Sequence, residues 1–203
     1  MKKIISLIGL VLMLGNVQAN AINQQDPQQM ILGLSTTVLD EINSRRIELE
    51  NNPGEVRAFA EQHVLPYIDT ERMARYVVGR YWREASKDQQ AAFVEQFTLT
   101  MMRSYSQSLL KLNISKIDVA SALPDGEARV IVPTKVTQAD GTTAEVSYRV
   151  FKEASSQSWL VYDVVVEGIS LLVNFRQTYT TDIERNGMDQ VIVAMKERNK
   201  TFQ

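Results

Sequence analysis

Along the first half of this chain, apolar side chains recur at three- and four-residue intervals; along much of the second half they occupy alternate positions. The first pattern places one face of a helix against a core, and the second places one face of a strand there. Met30, Leu34, Val38, Ile42 and Ile47 outline a long helix with a polar back. Asp26-Pro27 opens it, because aspartate accepts an orphan backbone N–H and proline at the first turn has none to lose. Asn51-Asn52-Pro53-Gly54 stops it. A second helix is expected from Glu55 to Val64, ending before Leu65-Pro66 since the residue ahead of a proline avoids the α region. Asp69 caps a third, Thr70 to Val78, closed by Gly79. After the short bridge Arg80-Tyr81-Trp82-Arg83, Ser86 and Gln89 form a capping box for the longest helix, Lys87 to about Leu112.

From there the period changes to two. Ile114 to Ser121 reads as a first strand, and Pro124-Asp125-Gly126 as a turn. Ala128, Val130, Val132, Thr134 and Val136 alternate with Arg129, Ile131, Pro133 and Lys135 in a second strand. Asp140-Gly141 signals a hairpin. Val146, Tyr148 and Val150 alternate with Glu145, Ser147, Arg149 and Phe151 in a third. Ser155 to Ser158 is a loop, and Trp159 to Glu167, rich in aromatic and β-branched residues, is a fourth. Gly168 breaks that run, Ser170 caps a helix carrying Leu172, Phe175, Tyr179 and Ile183 at helical spacing, and Asn186-Gly187 closes it. A last helix spans Asp189 to Lys200. Helices, then an antiparallel meander, then helices make an α+β fold with a four-stranded sheet. No repeat or linker divides it, so a single domain is expected.

The first residues change the picture of where the protein works. Lys2 and Lys3 precede a short apolar run, Ile4 to Leu14, and small residues around Ala19 and Ala21 suit signal peptidase. The run is too short for a bilayer, which needs about 20 residues. A leader of residues 1–19, with cleavage possibly after 21, is therefore expected, followed by an exported domain from 20 to 203. The chain has no cysteine, so neither a lipid anchor at the cleavage site nor disulfides nor thiolate metal sites are available. Removal of Lys2 and Lys3 with the leader takes the formal charge from −2 to −4. That mild acidity argues against a nucleic-acid partner.

Chemistry-bearing clusters are sparse. His63 is the one histidine and has no partner at metal-ligand spacing. No G-x-S-x-G elbow or glycine-rich phosphate loop is present. The pairs Glu48 with Glu50 and Asp182 with Glu184 read as solvated helix faces. Asp163 stands out, a carboxylate within an apolar strand. It reads either as the partner of Arg176 or Arg149 or as a general base.

Several segments together resemble a known family: Gly79-Arg-Tyr-Trp-Arg83, Phe93 with Phe97 and Tyr105, Trp159 through Leu171, Asn174-Phe-Arg176 and Gly187-Met-Asp189. They are similar to the MlaC, or toluene-tolerance (Ttg2D-like), family of periplasmic phospholipid-binding proteins of Gram-negative bacteria. The resemblance covers nearly all of the mature chain. It implies a curved sheet packed by helices in a cone like that of nuclear transport factor 2, with a deep apolar pocket for acyl chains. It also implies a shuttle between an outer-membrane lipoprotein–porin complex and the MCE-domain subunit of an inner-membrane ABC transporter complex, maintaining outer-membrane lipid asymmetry. No catalysis and no cofactor beyond the phospholipid cargo are implied. A monomer is the natural form of such a shuttle.

Alternation and helical spacing then nominate the pocket lining. Val130, Val132, Val146, Tyr148 and Val150 are expected from the second and third strands, and Tyr162, Val164 and Val166 from the fourth. Phe97, Met101 and Tyr105 would face them, with Leu171, Leu172 and Phe175 closing one end. Two other classes fit the same apolar surfaces. One is a small-pocket, isomerase-like enzyme with Asp163 as base and Tyr148 or Tyr162 as donor. The other is a lipid-free periplasmic adaptor whose apolar faces meet as solid core.

Overall fold

The computed structural model describes residues 22–202; the expected leader lies outside them. Helices α1 (Pro27–Asn51), α2 (Pro53–His63), α3 (Thr70–Val78) and α4 (Lys87–Lys111) come first. Strands β1 (Ile114–Val119), β2 (Leu123–Pro124), β3 (Arg129–Gln138), β4 (Thr143–Lys152), β5 (Trp159–Val166) and β6 (Ile169–Ser170) follow, then α5 (Leu171–Asn186) and α6 (Met188–Asn199). The caps act as the sequence predicts. Asp26 Oδ1 accepts from the Gln29 N–H at 2.9 Å and Asp69 Oδ1 from the Arg72 N–H at 2.9 Å. Ser86 and Gln89 satisfy one another's backbone N–H groups.

The sheet is open and antiparallel, in the order β1-β3-β4-β5-β6, with β2 also paired to β3. It therefore has six strands where the alternation predicts four. The additional two are two-residue segments beside turns, too short to display any period. Leu123 folds back opposite Ile131. Glu167 and Gly168, both at positive φ, turn Ile169 and Ser170 back along β5.

Register sets the faces. Val130 pairs with Val150, and Val132 with Tyr148, which pairs in turn with Val164. These side chains share one face, and α1 lies on it: Met30 and Ile31 pack with Val132, Val150 and Val161 in one buried cluster. Between Arg149 and Val150 the pairing slips, so that Arg149 opposes Asp163 while Val150 opposes Val161. Tyr162 is the extra residue of a β-bulge, and a bulge shifts the alternation by one. Val161 and Val164 consequently both pack against the α1-side cluster, whereas Tyr162 packs with the helical core.

That helical core is the second cluster, built by α3, α4, α5 and α6 from Ala74, Val77, Val78, Phe93, Phe97, Leu172, Tyr179, Ile183 and Met195 among others. A third, smaller cluster joins Ile42 and Leu49 of α1 to Leu110 of α4. Here the predicted stripe needs correction. Ile47 is 78 % exposed and Leu49 is buried instead. The cause is a kink, since Arg45 leaves helical geometry at φ −129° and ψ 21°, which rotates the last turns of α1 relative to the first. No helix among the described residues is long and apolar enough to cross a membrane.

Candidate functional site

Between α1, α2, α4 and the edge of β5 lies an apolar cavity of about 260 Å³. From α1 it is lined by Val38, Glu41, Ile42 and Leu49, and from α2 by Val56, Phe59 and Ala60. Val64, Leu65 and Ile68 of the following connection and Met73 of α3 continue the wall. Met101, Met102, Tyr105, Ser106, Leu109 and Leu110 come from α4, Val161 and Val164 from β5, and Leu171 from the start of α5. The wall is thus mostly helical, and the sheet contributes only its β5 edge.

Of the residues nominated from the sequence, Met101, Tyr105, Val164 and Leu171 line this cavity. Phe97 and Leu172 lie in the filled helical core, with Tyr162 and Phe175 packed against it. Phe175 meets Phe97 edge-on at 5.2 Å between ring centroids and Tyr105 at 6.0 Å, so an aromatic row links core to cavity. Val132 and Val150 are fully buried in the α1-side cluster, with Val130 and Tyr148 against it. Val146 and Val166 oppose each other further along the same sheet face, half-buried.

The walls from α1 and α2 are the ones the sequence reading left out. Val38 and Ile42 belong to the apolar stripe predicted for the first helix, and Val56, Phe59, Ala60 and Val64 show the i, i+3, i+4 spacing of an apolar face. Their partners across the void were not legible from spacing. The α2 helix has no fully buried residue, as expected for a wall that faces a void on its apolar side.

Among the described residues Glu41 is the one carboxylate on the lining, which holds no Lys, Arg or His, and it does not present a free charge. Arg45, at the kink, binds Glu41 and also reaches Glu48 at 2.8 Å and Glu55 of α2 at 2.8 Å. The arginine therefore ties both parts of α1 to α2 outside the apolar space. Burial pushes the Tyr105 phenol above its ordinary value. Tyr148 is pushed up for the same reason, opposed by a hydrogen bond with Ser35. Both shifts reflect low-dielectric surroundings that disfavour a phenolate.

Asp163 is not on the cavity wall. Its carboxylate, 2 % exposed, accepts from Arg149 Nη1 at 3.1 Å, Ser170 Oγ at 2.7 Å and the Leu172 N–H at 3.4 Å. Of the two basic partners considered, Arg149 is the one used. Arg176 instead donates to the Tyr76 carbonyl at 2.8 Å and lies over the Tyr76 ring. Asp163 thus pins the start of α5 to β5, and both of its oxygens are hydrogen-bonded. His63 stacks on Phe59 at 5.1 Å and does not line the cavity. Among the described residues no group of three or more His, Asp or Glu is placed to hold a metal ion.

This architecture has close counterparts. A solved structure of a phospholipid-binding protein from Ralstonia solanacearum, in complex with a phospholipid, superposes with a TM-score of 0.74 at 25 % identity, over 87 % of this chain and 98 % of that one. The chain is 24 % identical over 199 residues to the intermembrane phospholipid transport system binding protein MlaC of Haemophilus influenzae, spanning 97 % of this chain and 93 % of that protein. It is 27 % identical over 182 residues to toluene tolerance protein ttg2D of Pseudomonas putida, spanning 89 % and 84 %. Residues 33–197 match the family model described as MlaC protein, and the chain belongs to the MlaC family.

Proposed function

We propose that this protein is a phospholipid carrier of the Gram-negative periplasm. The observation that carries the reading is the apolar, helix-walled cavity in a fold whose Ralstonia relative was solved with a phospholipid bound. In this reading a leader of residues 1–19 (or 1–21) is removed, and residues 20–203 form one phospholipid-binding domain acting as a monomer. It shuttles lipid between an outer-membrane lipoprotein–porin complex and the MCE-domain subunit of an inner-membrane ABC transporter complex, maintaining outer-membrane lipid asymmetry. It catalyses no reaction, in keeping with relatives named for binding and transport and with an Asp163 already bound by Arg149.

The energetics favour such a carrier only if the pocket matches a membrane. Each CH₂ removed from water gains about 0.8 kcal/mol, so a two-chain lipid gains on the order of 20 kcal/mol, and a bilayer offers nearly the same. A shallow patch would lose to the bilayer. The present volume of about 260 Å³ is below the roughly 300–1,000 Å³ of pockets for drug-sized ligands, and a phospholipid is larger. Full burial of both acyl chains would therefore require the cavity to widen. Among the helical walls, α2 is the one with no fully buried residue. Delivery requires docking, since a free acyl chain in water would forfeit most of the gain.

Native mass spectrometry of the mature protein, purified from cells without detergent and followed by lipid extraction, tests this. A stoichiometric adduct of phospholipid mass is expected. A bare protein mass that stays unchanged after incubation with phospholipid vesicles would overturn the carrier reading in favour of the adaptor or the enzyme.

A further inference from the structure

Methionine carries all the sulfur of this chain, since there is no cysteine. An oxidant entering the compartment finds no thiol, and the thioethers are left as its readiest targets. The methionines of the described residues stand in three settings. Met30 and Met195 are fully buried, at 0 % and 1 % exposed, and closed to reagents while the protein is folded. Met188 is half-buried beside a surface groove with Arg80, Tyr81 and Glu84, away from the apolar cavity. Met73, Met101 and Met102 line the cavity. Of these, Met73 is buried, whereas Met101 and Met102 keep part of their surface open. Met101 and Met102 thus combine access with a place on the wall.

We propose that Met101 and Met102 are oxidation sites coupled to cargo: a sulfoxide at these positions expels the phospholipid, and a bound phospholipid shields the two side chains. The inference rests on the carrier reading. The reagent class is a two-electron oxygen donor such as hypochlorous acid. The thioether sulfur gives an electron pair to form the S–O bond, chlorine leaves as chloride with the O–Cl bonding pair, and the hydroxyl proton passes to water. The product turns a flexible apolar side chain into a polar one. A sulfoxide oxygen only accepts hydrogen bonds, and an acyl chain has no donor to offer. Burying the oxygen against that chain carries the penalty of an unpaired polar group. The penalty falls on the loaded state, because in the lipid-free protein the same accessible surface is open to water. The aromatic rings at the closed end of α4 are not oxidised in this way, so the sensitivity is confined to the end that faces cargo.

The test takes the mature protein with its copurified lipid and a delipidated sample. Both receive a limiting dose of hypochlorous acid, which is then quenched with free methionine. Peptide mass spectrometry maps the added oxygen, and native mass spectrometry reads uptake from vesicles of dipalmitoyl phosphatidylglycerol. Met101 and Met102 should gain oxygen faster in the delipidated sample, Met188 equally in both, and Met30 and Met195 last. The oxidised delipidated protein should take up roughly tenfold less lipid than the untreated one, with an unchanged far-ultraviolet circular dichroism spectrum. Methionine sulfoxide reductases A and B with dithiothreitol should restore uptake, an arm that needs no variant. Met101→Leu/Met102→Leu, which conserves volume, should after treatment take up as much lipid as its own untreated sample. Uptake that survives oxidation of both methionines, or a loss that the leucine pair does not prevent, overturns the assignment. So does a loss that tracks unfolding, or equal oxidation of Met101 and Met102 in loaded and delipidated protein. Untreated wild type that holds and takes up no lipid overturns the carrier reading itself, and this assignment falls with it.

Discussion

The first half of α4 and its second half bury apolar side chains to opposite ends. Phe93 and Phe97 are fully buried, stacked at 5.9 Å from one another and met edge-on by Tyr179. Two turns on, Met101, Met102, Tyr105 and Leu109 face a cavity. Both stretches belong to one continuous stripe at four-residue spacing. An α-helix advances 3.6 residues per turn, so each four-residue step drifts by about 40° around the axis. From Phe93 to Tyr105 the stripe therefore swings by about a third of a turn, off the α3, α5 and α6 core and towards α1 and α2. Residue type follows the change. Rigid rings fill the closed end, while methionines, which repack at low cost, line the end that would accommodate a variable chain.

Substitutions at the two ends should separate them. Phe97→Ala in the filled half should cost about 3–5 kcal/mol of unfolding free energy in urea titrations, because the close-packed surroundings cannot collapse onto the void. Asp163→Ala, at the junction of β5 and α5, should cost about 1–3 kcal/mol by stranding the Ser170 and Leu172 donors. It should leave retained lipid unchanged in extracts of the purified protein; loss of lipid without loss of stability would move Asp163 into the site. Met102→Ala should cost under about 1 kcal/mol, since the side chain already borders open space and loses few contacts. Met102→Asp should keep the circular dichroism of the wild type and lose the copurified lipid. If Met102→Ala destabilises as much as Phe97→Ala, the two halves of α4 do not differ as described.

The same distinction decides where a charge is informative. Val132 and Val150 sit on the sheet face expected to hold lipid, yet both are fully buried, packed with Met30 and Ile31. A charged residue at either position would report on folding and not on cargo. Alternation identified the buried face of β3 and β4 correctly. It carried no information on whether a helix or a void lies opposite, because a strand's period is the same in both cases. In β5 it did not identify the face, since the bulge at Tyr162 shifts the phase and no turn residue in Trp159–Val166 marks it.

Local chemistry was legible throughout. The capping aspartates and serines, the capping box of α4, the Asp140-Gly141 hairpin and the break at Gly168 all act between residues a few positions apart, where the side chain and the backbone group it binds are neighbours in sequence. Asp140 shows this well: its carboxylate accepts from both the Thr142 N–H and hydroxyl, which hold it below the usual carboxylate range. The α+β class, the order and approximate bounds of the α-helices and of the four long strands among the described residues, and the apolar character of the interior were determined by the sequence alone. Tertiary structure alone decided which of two basic residues pairs with Asp163, that α1 kinks at Arg45 and so buries Leu49 in place of Ile47, and that α1 and α2 wall the cavity. Each of these depends on contacts between segments far apart in the chain. Helical or strand period states which way a side chain points from its own axis, and only packing states what it points at.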